Sequence, residues 1–244
     1  MTLRNKKELS IFFDKEACRY DRILKGNLGV FYVNTVEQNI FFEGLHHLNG
    51  SNVLDIGIGT GRFINILSRN GFNVIGLDFS HEMLNQIQHG KIKLKLTLAD
   101  GESLPFGDES IENIVCFRVF KYFQNPYKTF FEFCRVLKPS GHAIVQIPNK
   151  YSYQYFLTIY KSLGDRTYND YLNLISYKKA KQFIKKAGFT IVDFKINVRI
   201  PFFIYSKVNT ENILKILINI EKTLHKLFPC HLFARDFIFF LKKQ

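Results

Sequence analysis

The run "VLDIGIGTG" at residues 53–61 constrains the fold more than any other stretch: apolar residues around one acid, then glycine at every second position. A short apolar segment of this kind is a strand buried on both faces. Glycines directly after it mark a tight turn whose backbone can approach a ligand with no Cβ in the way. A helix is expected from about Thr60 to Asn70, stopped by Gly71.

The same alternation continues. "FNVIGLD" reads as a second strand, and Ser80 is placed to cap the helix "HEMLNQIQ". In "KIKLKLTLAD", Ile92, Leu94, Leu96 and Leu98 share one face while Lys91, Lys93 and Lys95 share the other, as suits a sheet edge protected against aggregation. "IENIVCFRVF" carries a further buried strand. Asn125-Pro126 then supplies a cap with proline at the first helical position, and Phe130, Phe133, Cys134 and Leu137 make one apolar face. "HAIVQIP" is the next strand. This order predicts an α/β fold, a Rossmann-like doubly wound sheet of about seven strands, with helical cap elements at both ends.

Beyond residue 150 the order changes. A tyrosine-rich stretch with Tyr151, Tyr153, Tyr155, Phe156 and Tyr160 precedes a helix capped by Ser176 and stopped by Gly188. "FTIVDFKI" is a strand. A helix from about Glu211 to Phe228, capped by Thr210, presents Ile213, Leu217, Ile220 and Leu224 as one stripe, and "RDFIFFLKK" closes as the antiparallel last strand of a mostly parallel sheet. One domain over 1–244 is expected, with a helical segment 1–49, a cofactor-binding core 50–149 and a substrate or cap region 150–244.

Glycine spacing separates two cofactor classes. A dinucleotide turn has the form G-x-G-x-x-G, and its helix dipole faces a pyrophosphate. Here Gly57, Gly59 and Gly61 alternate, and Arg62 stands where that motif takes Gly or Ala. Asp55, two residues before the first glycine, would repel a pyrophosphate but attract an ammonium. Asp78, at the end of the second strand, can accept from both hydroxyls of a ribose in any adenosine cofactor.

With those residues in view, "VLDIGIGTGRF", "VIGLDFSHEML", "LADGESLPFGDESIENIVCFRVFKYFQNP", "FCRVLKPSGHAIVQIPN" and "AGFTIVDF" resemble, in order, the motifs of class I S-adenosylmethionine-dependent methyltransferases of the small-molecule type, the methyltransferase type 11-like group. "FDKEACRYD" further resembles the N-terminal segment of methyltransferases for quinone precursors and carrier-bound malonyl esters. The resemblance implies that Asp55, Gly57, Gly59 and Gly61 hold the methionine part of S-adenosylmethionine. It places the ribose at Asp78, one adenine face at Phe79, the adenine amino group at Asp100 and the ring nitrogens at the backbone of Gly101. Phe117 and Arg118 would face the methyl end. The product would be S-adenosylhomocysteine, formed by in-line displacement that calls for no metal.

The general base is not transferable. Where the family often has histidine after the fourth strand, this chain has Tyr122, and tyrosine, with an ordinary pKa of about 10, is a poor base near neutrality. Arg118 and Tyr122 are the catalytic candidates. Arg118 could pair with a carboxylate of cofactor or substrate, or with a motif acid such as Asp55. His46 and His47 read as surface residues, and His225 and His231 fall in the C-terminal region.

Net charge is +13, and residues 150–244 alone carry 17 basic and 6 acidic side chains. With the aromatic cap this suits a small-molecule, lipid-linked or carrier-bound acceptor that is apolar with an anionic handle. The charge also admits an RNA or DNA methyltransferase, though no appended nucleic-acid motif accompanies it, and the missing histidine admits a cofactor-binding protein without catalysis. The N-terminus lacks a signal-peptide run, and no segment offers the roughly 18 apolar residues of a membrane span. A soluble cytoplasmic protein is expected, with peripheral membrane contact open. Cys18, Cys116, Cys134 and Cys230 show no metal or disulfide spacing.

Overall fold

The computed structural model describes residues 6–87, 92–153, 173–228 and 233–244. The expectations placed on Lys91, Tyr155, Phe156, Tyr160, Cys230 and His231 lie outside these residues.

Two helices, α1 (Lys6–Lys25) and α2 (Leu28–Gly44), lead into β1 (Asn52–Ile56), α3 (Ile64–Arg69), β2 (Asn73–Asp78), α4 (His81–Asn85), β3 (Leu94–Leu98) and β4 (Ile111–Cys116). They are followed by α5 (Pro126–Val136), β5 (Leu137–Pro148), α6 (Tyr177–Lys186), β6 (Phe189–Ile196), α7 (Phe202–Tyr205), α8 (Glu211–Leu227) and β7 (Asp236–Lys243). The seven strands form one sheet in the order β3-β2-β1-β4-β5-β7-β6, with β7 antiparallel to both of its neighbours and the remaining pairs parallel. Strand order reverses between β1 and β4, so the carboxyl ends of these two strands flank the crevice in which open α/β sheets bind ligands.

Alternation within the strands builds two apolar layers. In β7, Phe237, Phe239 and Leu241 face one layer, with Phe130 and Phe133 of α5 and Ile184 of α6, while Ile238 and Phe240 face the other, with Phe41 of α2 and Leu67 of α3. Both faces of the central strands are therefore covered, and their sequences read as continuous apolar runs for that reason. The side chains of Ser80, Asn125 and Ser176 each accept the capping bond anticipated for them. β3 is an edge strand with Lys93 and Lys95 exposed, but Leu98 is also exposed and does not join the half-buried face of Ile92, Leu94 and Leu96.

Two helix readings are corrected. The first helix after β1 begins at Ile64, not near Thr60, because Gly59 and Gly61 adopt φ of 55° and 84°, which a right-handed helix cannot contain. Thr210 stands at the start of α8 without making a side-chain cap. In that helix Leu214, Leu217 and Leu224 pack inward, while Ile213 and Ile220 of the anticipated stripe are exposed.

Gly44 closes α2 against the sheet, and a Cβ there would stand 2.1 Å from Phe240 Cε1, a ring that is itself buried. Gly44→Ala is expected to destabilise the fold by about 1–3 kcal/mol through overpacking, despite the better helix propensity of alanine. Urea denaturation measures it, and a higher midpoint in the variant would contradict this packing.

Candidate active site

The loop after β1 is built by its glycines. Gly57 has φ of 69°, and its N–H and that of Ile58 both donate to Leu77 O, at 2.7 and 3.0 Å, stitching the turn to β2. A Cβ on Gly57 would meet Val119 Cγ2 at 2.0 Å, whereas a Cβ on Gly59 would point into open space. Gly59 lies on the wall of a cavity bounded by Gly57, Gly59, Asp78 and Phe79 on one side and Phe117, Arg118 and Tyr122 on the other. An adjoining cavity shares Gly57, Asp78, Phe79 and Tyr122 and adds Asp100 and Gly101. Nine of the eleven residues singled out from sequence thus line one continuous crevice at the carboxyl ends of β1, β2 and β4.

Asp55 and Gly61 do not line it. Asp55 is buried on β1, behind the loop, and Gly61 faces an outer groove with Thr60 and Arg62. The two aspartates are electrostatically linked. Burial, and then the neighbouring Asp78, push Asp55 up to about 7. Burial also raises Asp78, against the pull of backbone donors: Gly59 N–H reaches Asp78 Oδ2 and Ser80 N–H reaches Oδ1, both at 2.9 Å. An added positive charge at this place would relieve the strain of two adjacent carboxylates.

α1 covers the crevice, a contribution the sequence reading missed. Lys6 bridges Asp100 and Glu102, Ser10 Oγ donates to Phe79 O at 3.2 Å, and Phe13 sets its ring edge against Phe79 and Tyr122. Asp14 accepts from Ser80 Oγ at 2.6 Å, and Asp21 accepts from Thr60 Oγ1 at 2.5 Å. The signal lay in "FDKEACRYD": Phe13, Asp14, Ala17 and Asp21 recur at helical spacing, with Phe13 lining the crevice and Asp14 and Asp21 bonded to Ser80 and Thr60.

Arg118 is held from behind. Its backbone lies at φ of 62°, with its N–H bonded to Gln146 Oε1 at 3.0 Å. Its guanidinium donates to Glu37 Oε2 at 2.8 Å and to Asn34 Oδ1 at 2.6 Å. Of the two roles open to Arg118, a motif acid or a ligand carboxylate, the structure shows an acid partner, but it is Glu37 of α2 and not Asp55. Glu37 is fully buried and also receives Arg62 at 2.6 Å, Arg235 at 3.3 Å, Gln146 at 3.1 Å and Asn197 at 2.7 Å. Burial alone would raise its pKa, but Arg118, Arg62 and Arg235 reverse this and hold it well below the usual carboxylate range.

No histidine among the described residues lines either cavity. His225 sits half-exposed on α8, 4.0 Å from Glu221. His46 is exposed and His47 half-buried, beside Asp193 and Phe240 at the other end of the sheet.

A family profile described as a methyltransferase domain matches residues 54–145. An uncharacterised protein of Methanocaldococcus jannaschii is 33% identical over 178 residues, spanning 72% of this chain and 80% of the relative. The demethylmenaquinone methyltransferase of Clavibacter sepedonicus is 28% identical over 145 residues, or 57% of each protein. The crystal structure of an S-adenosylmethionine-dependent methyltransferase from Thermotoga maritima superposes with a TM-score of 0.64 at 18% identity, over 95% of this chain and 98% of its own, and so shares the fold.

Two expectations follow from the buried carboxylates. Glu37→Gln leaves three guanidinium groups without their shared counter-charge, and should lower the unfolding free energy by about 3–5 kcal/mol in urea denaturation. Asp55 has the opposite sign. Because its folded pKa is raised from 3.8 to about 7, it costs nothing at low pH and progressively destabilises the protein as pH rises through that window. Asp55→Asn should therefore raise the melting temperature more at about pH 8 than at about pH 5; an equal shift at both would contradict the assignment.

Proposed function

The chain belongs to the class I S-adenosylmethionine-dependent methyltransferases, and from that premise we propose that it methylates a small-molecule, lipid-linked or carrier-bound acceptor by in-line displacement. When bound, S-adenosylmethionine supplies an electrophilic methyl group on a sulfonium. The crevice fits such a cofactor: Gly59 leaves open the space that a side chain would fill, and Asp78 and Asp100 place two carboxylates along its length. That arrangement is the observation that carries the reading.

In this proposal Asp78 exchanges its backbone donors for the ribose hydroxyls, Phe79 packs on the adenine, and Asp100 with the backbone of Gly101 binds the adenine edge. Asp55 acts from behind the loop, where its ionised form and an ammonium at the backbone of Gly57 and Gly59 favour each other. Phe117 forms the apolar wall at the methyl end. Arg118 is a positioning residue, since its guanidinium is committed to Glu37 and Asn34. Tyr122 lines both cavities and is the side chain best placed to touch the acceptor.

The protein accelerates the transfer by aligning donor and acceptor in a site closed by α1, with a base needed only for acceptors that must lose a proton. The aromatic residues and the positive charge in the sequence beyond residue 150 support an apolar acceptor with an anionic group. The likeness to an enzyme named for demethylmenaquinone favours a lipid-linked member of that class.

Incubation with labelled S-adenosylmethionine and cell extract should label a low-molecular-weight or lipid fraction. Labelling confined to RNA or DNA, or binding without turnover, would overturn the reading. By calorimetry, Asp78→Ala should weaken S-adenosylmethionine binding by at least about 1.5 kcal/mol, the scale of lost hydrogen bonds to a charged acceptor. Unchanged affinity would remove Asp78 from the site.

A further inference from the structure

We propose that the outer face of α8 docks on an anionic lipid surface. The inference stands apart from the chemistry of the crevice and begins with the rotation of this helix. Glu221 points inward and is buried, accepting from Arg199 N–H at 2.9 Å, Ile200 N–H at 2.7 Å and the Tyr205 hydroxyl at 3.1 Å. Leu214, Leu217 and Leu224 share that inward face and pack on a cluster with Val33 and Tyr205. The helix therefore cannot turn to bury the rest of its apolar residues.

What is left outside is a second apolar stripe. Ile213, Ile216, Ile220 and Leu227 lie at i, i+3, i+7 and i+14, and are 49%, 58%, 43% and 68% exposed. The stripe continues at the end of the helix into Phe228, whose ring approaches Phe233 at 5.9 Å; Phe233 in turn stacks on exposed Tyr153 at 4.7 Å. Tyr153 follows closely on Pro148, the last residue of β5, so this apolar trail ends at the carboxyl edge of the sheet, on the side of the crevice.

Charge selects the occupant. Lys215, Lys222 and Lys226 recur at i, i+7 and i+11 along the exposed polar side of α8, and the region beyond residue 150 carries most of the net charge of +13. Two copies of the chain would bring these lysines together and repel, whereas an anionic bilayer surface attracts them while the isoleucines enter its interface. A lysine-flanked aliphatic stripe on a helix too polar to cross a membrane is the pattern of a helix lying in the interface plane.

The test uses the full chain and vesicles of equimolar phosphatidylglycerol and phosphatidylcholine, or of phosphatidylcholine alone, in co-sedimentation. A protein this basic adheres to any anionic surface, so the decisive variant is uncharged: Ile216→Gln with Ile220→Gln, two exposed positions whose change should leave the melting temperature unaltered. It should lower affinity for the anionic vesicles roughly tenfold or more. Lys215→Gln, Lys222→Gln and Lys226→Gln together should lower it roughly a hundredfold. Phosphatidylcholine vesicles should bind weakly. Parental affinity in the isoleucine variant, or no binding of the parent protein to anionic vesicles, would overturn the proposal. So would light scattering that shows a parent dimer dissociating on the isoleucine changes, which would assign the face to a second copy.

Discussion

One buried carboxylate ties the carboxyl edge of the sheet together. Glu37 reaches from α2 to Arg62 of the glycine loop, Arg118 after β4, Gln146 of β5, Asn197 after β6 and Arg235 before β7. Every segment that shapes the crevice from that side is thereby referred to a single point. Burying so many charges is costly, and apolar residues of equal volume often serve stability as well or better. What apolar packing could not supply is direction. Arg118 sits in a left-handed backbone conformation that a non-glycine residue adopts only at a cost, and the bonds to Glu37, Asn34 and Gln146 hold it there. Phe117 and Val119, its chain neighbours, are aimed into the crevice as a result.

The opposite wall carries the opposite economy. Asp55 and Asp78 are buried near each other with few compensating cations, so each is pushed toward its neutral form. A fold selected for stability alone would replace one of them. Such a pair suits a site that takes a positively charged ligand group. The two sides of the glycine loop thus differ in charge: guanidinium groups gather around Glu37, and the carboxylates of Asp55 and Asp78 stand without a cation beside them among the described residues.

Much of this was legible from local pattern. The strands announced themselves because both faces of the sheet are covered, which leaves continuous apolar runs, and the glycine loop with Asp78 and Asp100 located the crevice. The limits of α3 were misread because a propensity argument ran the helix back through glycines whose positive φ forbids it. Glu37 was invisible for a different reason. Its partner Arg118 lies 81 residues away, and nothing in local spacing couples them. A weaker signal existed: Asn34 and Glu37 share the buried face of α2 with Val30, Val33 and Phe41, and polar side chains on such a face require partners from elsewhere.

α1 covers the crevice through a small set of contacts. Its hold is made of groups that the cofactor reading also assigns to ligand: Lys6 takes Asp100, Phe13 leans on Phe79, and Ser10 takes the carbonyl of Phe79. Most of these contacts are half-exposed, whereas the carboxylate of Glu37 is fully buried. Elements joined by few buried contacts are those whose local opening costs least. The two sides of the crevice are thus built differently: a sheet edge gathered around one buried carboxylate, and an N-terminal helix held by half-exposed bonds to Asp100 and Phe79.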